Sequence, residues 1–146
     1  MQVDFYQLAG ASIDQVLPRL AERVLGEGER LLVVAEDAGV LGHLDNLLWR
    51  YTPESFLPHG RAGEGDEAAQ PILLATEPVA PNGATRLAIV DGRWRDEALG
   101  FERSFYLFDN AAIEGARAAW RALATVDGVE RRFWKRDGEG RWREGP

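Results

Sequence analysis

The chain has 146 residues, 45% of them hydrophobic and 10% aromatic, with no cysteine and a formal net charge of -7. That length suits one domain with a sizeable core, the composition is too apolar for a disordered chain, and the missing thiols exclude a disulfide framework, a thiolate metal site and thiol redox chemistry. The acidic balance argues against direct DNA binding by the domain as a whole, because phosphate neutralisation needs clustered Lys and Arg. The charge is uneven, however: residues 1–110 carry 9 basic and 18 acidic side chains, and residues 111–146 carry 8 basic and 6 acidic.

The opening Met1 to Tyr6 has neither the basic segment nor the apolar stretch of a leader, and no apolar run reaches the roughly 20 residues of a membrane span, so the expectation is a soluble, cytoplasmic protein. A strand is predicted over 3–8, ended by Ala9-Gly10. Ser12 then caps a helix in which Ile13, Val16, Leu17, Leu20, Val24 and Leu25 recur at helical spacing until Gly26 and Gly28; Pro18 inside it predicts a kink. Residues 31–35 are a continuous apolar run, the pattern of a strand buried on both faces of a parallel sheet. Asp37 opens a second helix, carrying Val40, Leu41, Leu44, Leu47 and Leu48 and ending near Trp49.

A long loop rich in Gly, Pro and acidic residues follows over 53–70, and its length marks it as functional or mobile. Residues 71–76, 87–90 and 103–108 read as further strands. Asn110 caps a helix over 111–124, and 129–134 with 141–143 read as a hairpin around Asp137-Gly138-Glu139-Gly140. Strands alternating with helices argue for an α/β fold with a parallel, doubly wound sheet. One domain is expected over 1–146, with 137–146 as a C-terminal extension or hairpin strand.

Motifs for catalysis are weak. The first βα turn, Leu8-Ala9-Gly10-Ala11-Ser12, holds one glycine and lacks the spacing of a dinucleotide or P-loop fingerprint. Gly60-Arg61-Ala62-Gly63-Glu64-Gly65 is glycine-rich but opens no recognisable helix and reads as a flexible loop. His43 and His59 lie in different elements, too few for a zinc site, and no metal is expected. A Ser55 and His59 hydrolase lacks the G-x-S-x-G elbow. A rival class is thus a small nucleotide-binding or hydrolytic enzyme built on the loop from Ser55 to Gly65. Another is a direct single-stranded DNA binder stacking bases on Trp94, Trp120, Trp134 and Trp142, which the net charge opposes.

The most distinctive stretch runs from Leu44-Asp45-Asn46-Leu47-Leu48-Trp49 through Glu54-Ser55-Phe56-Leu57-Pro58-His59 to Ala62-Gly63-Glu64. It resembles the chi subunit family of the bacterial DNA polymerase III holoenzyme, in which Leu-Asp-x-x-Leu-Trp, Ser-Phe-hydrophobic-Pro-His and Ala-Gly-Glu follow at this spacing. Phe5-Tyr6-Gln7-Leu8, Pro71-Ile72-Leu73-Leu74 and Pro81-Asn82 agree, so the resemblance covers nearly the full length. It implies a single-domain Rossmann-like three-layer sandwich with a mainly parallel central sheet, no nucleotide-binding motif and no cofactor. It also implies a non-catalytic accessory subunit that bridges the clamp loader, through the psi subunit, to the C-terminal tail of single-stranded DNA-binding protein during DNA replication. No membrane contact is implied, and nucleic acid is reached only indirectly.

On that resemblance psi binding falls to Trp49, Phe56 and His59. Phe56, flanked by Pro53 and Pro58, is either an outward anchor or a cover for the core beneath the loop. Binding of the acidic, Phe-terminated tail falls to Arg117, Trp120 and Arg121, which at i, i+3 and i+4 share a helix face and offer an aromatic group with cations beside it. Arg131, Arg132, Lys135 and Arg136 add positive potential. The plainer reading is a solvated basic face with Trp120 in the core. Ala119 and Leu123 depart from the family, which often has Arg and an aromatic residue there.

Overall fold

A computed structural model describes residues 1–51, 57–137 and 139–145. Among the described residues eight strands form one sheet: β1 (Gln2–Gln7), β2 (Leu31–Val34), β3 (His59–Arg61), β4 (Ile72–Ala75), β5 (Arg86–Ile89), β6 (Arg103–Phe108), β7 (Glu130–Arg136) and β8 (Trp142–Glu144). They lie in the order β3-β4-β2-β5-β6-β1-β7-β8, and every pairing is parallel except β7 with β8. Three α-helices among the described residues cover the sheet: α1 (Ile13–Gly26), α2 (Ala38–Arg50) and α3 (Ile113–Leu123).

The period of two along each strand divides the core into two layers. Tyr6, Val33, Leu74 and Phe105 pack with Leu17, Leu20, Leu41 and Leu44 of α1 and α2. Phe5, Val34, Leu73 and Tyr106 pack with Ala116, Ala119 and Leu123 of α3 on the opposite face. The result is the mainly parallel sheet between helical layers that the alternation of strand and helix patterns predicts, and the Rossmann-like sandwich that the resemblance implies.

Local chemistry explains the helix ends. Ser12 donates its backbone N–H to Gln15 Oε1 at 3.0 Å, half of a capping box, and α1 continues through a buried Pro18. Asp37 Oδ1 accepts from the Gly39 N–H at 2.7 Å at the start of α2. Before α3 the cap is Asp109, not Asn110: its carboxylate accepts from the Ala111 N–H at 3.0 Å and begins a 3₁₀ turn, Asn110–Ala112, that leads into the helix. The predicted irregular stretch over 53–70 holds a strand, β3, of three residues paired with β4 at the sheet edge. Its polar sequence, His59-Gly60-Arg61, carries no apolar run that sequence periodicity can register. Residues 52–56 lie outside the described residues.

Two carboxylates, Asp4 in the interior and Asp91 partly open to solvent, fix the layers. Asp4, fully buried, accepts from Arg103 Nε at 2.7 Å, Trp134 Nε1 at 3.0 Å and the Gln2 amide at 3.0 Å, tying β6 and β7 to the strand between them. Asp91, just past β5, accepts both Arg95 guanidinium nitrogens (2.9 and 2.8 Å) and the N–H groups of Glu36 and Arg93 (2.9 and 3.2 Å). Burial alone would raise its pKa; the Arg95 hydrogen bonds and the two backbone N–H groups outweigh that and hold it below the ordinary 3.8.

A carboxylate with a depressed folded pKa stabilises the fold above its ordinary pKa, and that stability drains away as pH falls through the folded value. Asp91 is partly exposed and screened by solvent, so Asp91→Asn should cost about 1–2 kcal/mol at neutral pH. The gap in melting temperature between the two proteins should narrow below pH 3.8, and a gap independent of pH would refute the assignment.

Candidate functional site

Trp120 does not point freely into solvent. Its ring stands edge to face against Phe5 (centroids 5.2 Å apart, 87° between planes) and Phe133 (5.6 Å, 88°), so β1 and β7 form its wall. Arg131 covers it, with Cζ 4.0 Å from the ring centroid, and donates from Nη1 to the Trp120 carbonyl at 2.5 Å. The indole is thus half-buried in the core layer under α3, and one part of it stays open.

That open part belongs to a small cavity of about 150 Å³ lined by Gln7, Ile113, Arg117, Trp120, Phe133 and Lys135. It lies where β1 and β7 end and α3 begins. Ile113, Trp120 and Phe133 make an apolar floor with room for one bulky side chain, and Arg117 and Lys135 put cations at the rim. Arg117 also reaches Glu114 at 3.1 Å, but both side chains are exposed, so this ion pair holds the guanidinium only weakly. Of the three residues expected on this helix face, Arg117 and Trp120 line the cavity, while Arg121 is exposed and stands outside the lining.

The other basic residues of the C-terminal quarter are divided between faces. Arg131 and Lys135 lie on the α3 side with Phe133. Arg132 and Arg136 lie on the α1 side with Trp134, where Arg132 pairs with Glu130 at 2.8 Å. Sequence reasoning missed Gln7, Ile113 and Phe133 as lining residues. For Phe133 the signal was present, because a strand with period two through 131, 133 and 135 puts those residues on one face.

At the far edge of the sheet, His59 is buried and both its ring nitrogens face oxygens. Nδ1 lies 2.8 Å from the Leu57 carbonyl, and Nε2 lies 2.8 Å from Asp45 Oδ1 and 3.1 Å from the Asp45 carbonyl. It therefore staples β3 to α2. Trp49 tilts against it, centroids 4.6 Å apart, and is 60% exposed, the aromatic side chain most open to solvent among the described residues that are large and apolar. Phe56, the third residue expected here, and Ser55 lie outside the described residues.

The rival sites fare as follows. With both nitrogens of His59 engaged, it is poorly placed to take a proton from a serine. The Gly63 N–H, which a phosphate would need, donates instead to Glu67 Oε2 at 3.1 Å. Trp94 and Trp120 pack in the layer under α3, Trp134 and Trp142 in the layer under α1, so the four indoles form no single stacking track. Among the described residues there is no group of three or more His, Asp or Glu suited to a metal ion, and no helix long and apolar enough to cross a membrane.

Sheet, helices and an aromatic socket rimmed by cations define a Rossmann-like α/β sandwich with a binding-type surface. A family model described as DNA polymerase III chi subunit, HolC, matches residues 1–129, and the chain belongs to that family. The name is that of an accessory subunit of the polymerase rather than its catalytic one. Among similar proteins are the DNA polymerase III subunit chi of Escherichia coli strain K12, 34% identical over 65 residues (44% of each chain), and that of Pseudomonas aeruginosa strain PAO1, 34% identical over 80 residues (53% of this chain, 56% of the relative). A probable DNA polymerase III subunit chi of Rickettsia prowazekii is 27% identical over 89 residues (61% and 54%). The chain thus spans about half the length of the relatives it matches. The β7–β8 hairpin, with the Phe133 and Lys135 side of the socket, falls beyond the matched residues.

The two tryptophans should separate cleanly in denaturation. Trp120→Ala removes a ring wedged between two others and should cost about 3–4 kcal/mol, whereas Trp49→Ala, largely in solvent, should cost less than about 1 kcal/mol. Urea midpoints at unchanged slope measure both, and equal losses would contradict the packing described.

Proposed function

We propose that this chain is a non-catalytic adaptor of DNA polymerase III, a single domain over 1–146, that binds the acidic, Phe-terminated tail of single-stranded DNA-binding protein in the socket beneath α3. The observation that carries this reading is the coincidence of an apolar floor, Ile113, Trp120 and Phe133, with two cations, Arg117 and Lys135, at the rim of one small cavity. A terminal Phe side chain fills the floor, its free carboxylate takes a charge-assisted hydrogen bond at the rim, and the acidic residues before it meet the basic surface outside. Arg121 and Arg131 then act at longer range, steering the tail in a salt-dependent way.

The same reading places the psi subunit, and through it the clamp loader, at the β3 edge. Support comes from Trp49: a large aromatic ring braced by a buried histidine yet mostly in solvent is the kind of side chain that anchors protein interfaces. Phe56 and His59 complete the proposed surface, His59 by positioning Trp49.

Calorimetric titration with a synthetic acidic peptide ending in Pro-Phe tests the socket. Saturable binding is expected, lost when the terminal Phe is removed and weakened about 5- to 20-fold by Arg117→Ala or Lys135→Ala, with a smaller effect of Arg121→Ala. Failure to bind at low salt would remove the tail from this site. For the other surface, Trp49→Ala should abolish co-purification with psi while leaving peptide binding intact; unchanged co-purification would move psi elsewhere.

A further inference from the structure

A larger cleft lies on the opposite face of the sheet, walled by α1, the C-terminal end of α2 and the β7–β8 hairpin. It encloses about 690 Å³, a size that admits a small organic ligand. Four guanidiniums line it: Arg19 and Arg23, one turn apart on α1, and Arg136 and Arg141 from the hairpin. Such a concentration of positive charge is unexpected in a chain of net charge -7.

Among the described residues its nearby carboxylates are Asp14 in the lining and Glu22 beside Tyr51. Asp14 is turned onto His43 Nε2 at 2.7 Å. Glu22 and Arg19 both reach the Tyr51 hydroxyl. Arg23 donates to an uncharged oxygen, the Tyr6 hydroxyl, at 3.3 Å, and Arg136 donates to the Gly140 carbonyl at 3.0 Å. The Tyr6 hydroxyl accepts that bond and keeps its own hydrogen to give. Burial raises its pKa above the ordinary 10.0, so it stays a donor. Beside these groups stands Trp142, edge-on to Tyr6 with centroids 4.9 Å apart, and Val16 and Leu20 supply apolar wall.

We propose that this cleft binds a free nucleoside phosphate, with Arg23, Arg136, Arg141 and the Tyr6 hydroxyl on the phosphate oxygens and Trp142 and Tyr51 beside the base. Guanidiniums match phosphate geometry in a way an ammonium does not, and an aromatic, partly apolar wall next to them distinguishes a nucleotide from a bare anion. The charge of the whole chain repels a long polyanion, which favours a small ligand over a nucleic-acid strand. Recognition here is by side chains and uses neither the first βα turn nor the glycine-rich loop. The site is independent of the peptide socket.

Calorimetric titration of the full chain with ADP at low salt tests this, beside a short oligothymidylate and a polyglutamate peptide. Saturable ADP binding is expected, weakened about tenfold or more in an Arg23→Ala/Arg141→Ala double variant and unchanged in Arg117→Ala. Thermal melts establish that the variants fold. Arg141→Glu, a change at an exposed hairpin residue, serves if the double variant does not, and should weaken binding by at least as much. No saturation up to millimolar ADP, or ADP binding indifferent to these substitutions, overturns the proposal. So does polyglutamate binding as tight as ADP, which would make the cleft a general anion surface. Oligothymidylate binding tighter than ADP overturns it in favour of a single strand.

Discussion

Phe5 occupies the middle of β1, the strand with β6 on one side and β7 on the other, and five aromatic rings surround it. Trp120 and Tyr106 stand edge to face at 5.2 and 5.4 Å, Phe133 and Trp94 stack at 6.2 and 6.3 Å, and Phe108 closes the ring at 6.5 Å. The packing of this one side chain sets where α3 sits, because Trp120 is the helix residue that meets it. It also sets the socket, because Phe133 and Trp120 are held at the angle that leaves a hollow between them. One residue earlier the strand turns its other side, and Asp4 is bonded there to Arg103 and Trp134. A carboxylate with no exposure is tolerable only because those donors surround it.

Much of this architecture is written in local patterns. The apolar runs at β2 and β4 are buried on both faces, as a parallel sheet requires, and α1 and α2 begin at the residues whose side chains can close their first turns. What was not legible is whatever depends on a distant partner. β3 is a strand only because β4 offers it hydrogen bonds and Asp45 of α2 holds its histidine. Asp109 rather than Asn110 begins the turn before α3, because β6 delivers the chain with that residue, one earlier, in extended conformation.

The site was half legible for the same reason. Helical spacing brings Arg117 and Trp120 together, but it also nominates Arg121, which the tertiary structure leaves outside. Phe133 and Lys135 complete the socket from a strand whose face can be assigned only once β7 is known to lie beside β1. His59 reads in sequence as a candidate base or contact residue, and its geometry makes it a brace. The arginine cleft had no sequence signature at all, since Arg19 and Arg23 belong to a helix near the start of the chain and Arg136 and Arg141 to a hairpin near its end.

β7 is a partition wall shared by two rooms. Phe133 and Lys135 furnish the one under α3, while Arg136 lines the one beside α1 and Trp134 packs in the layer behind it. Because strand side chains alternate, gaining or losing a single residue within β7 would exchange the furnishings of both rooms at once, whereas the turn after it, whose Gly140 and Arg141 line the room beside α1, bears on that room alone. A one-residue change inside β7 therefore cannot alter one chamber without altering the other.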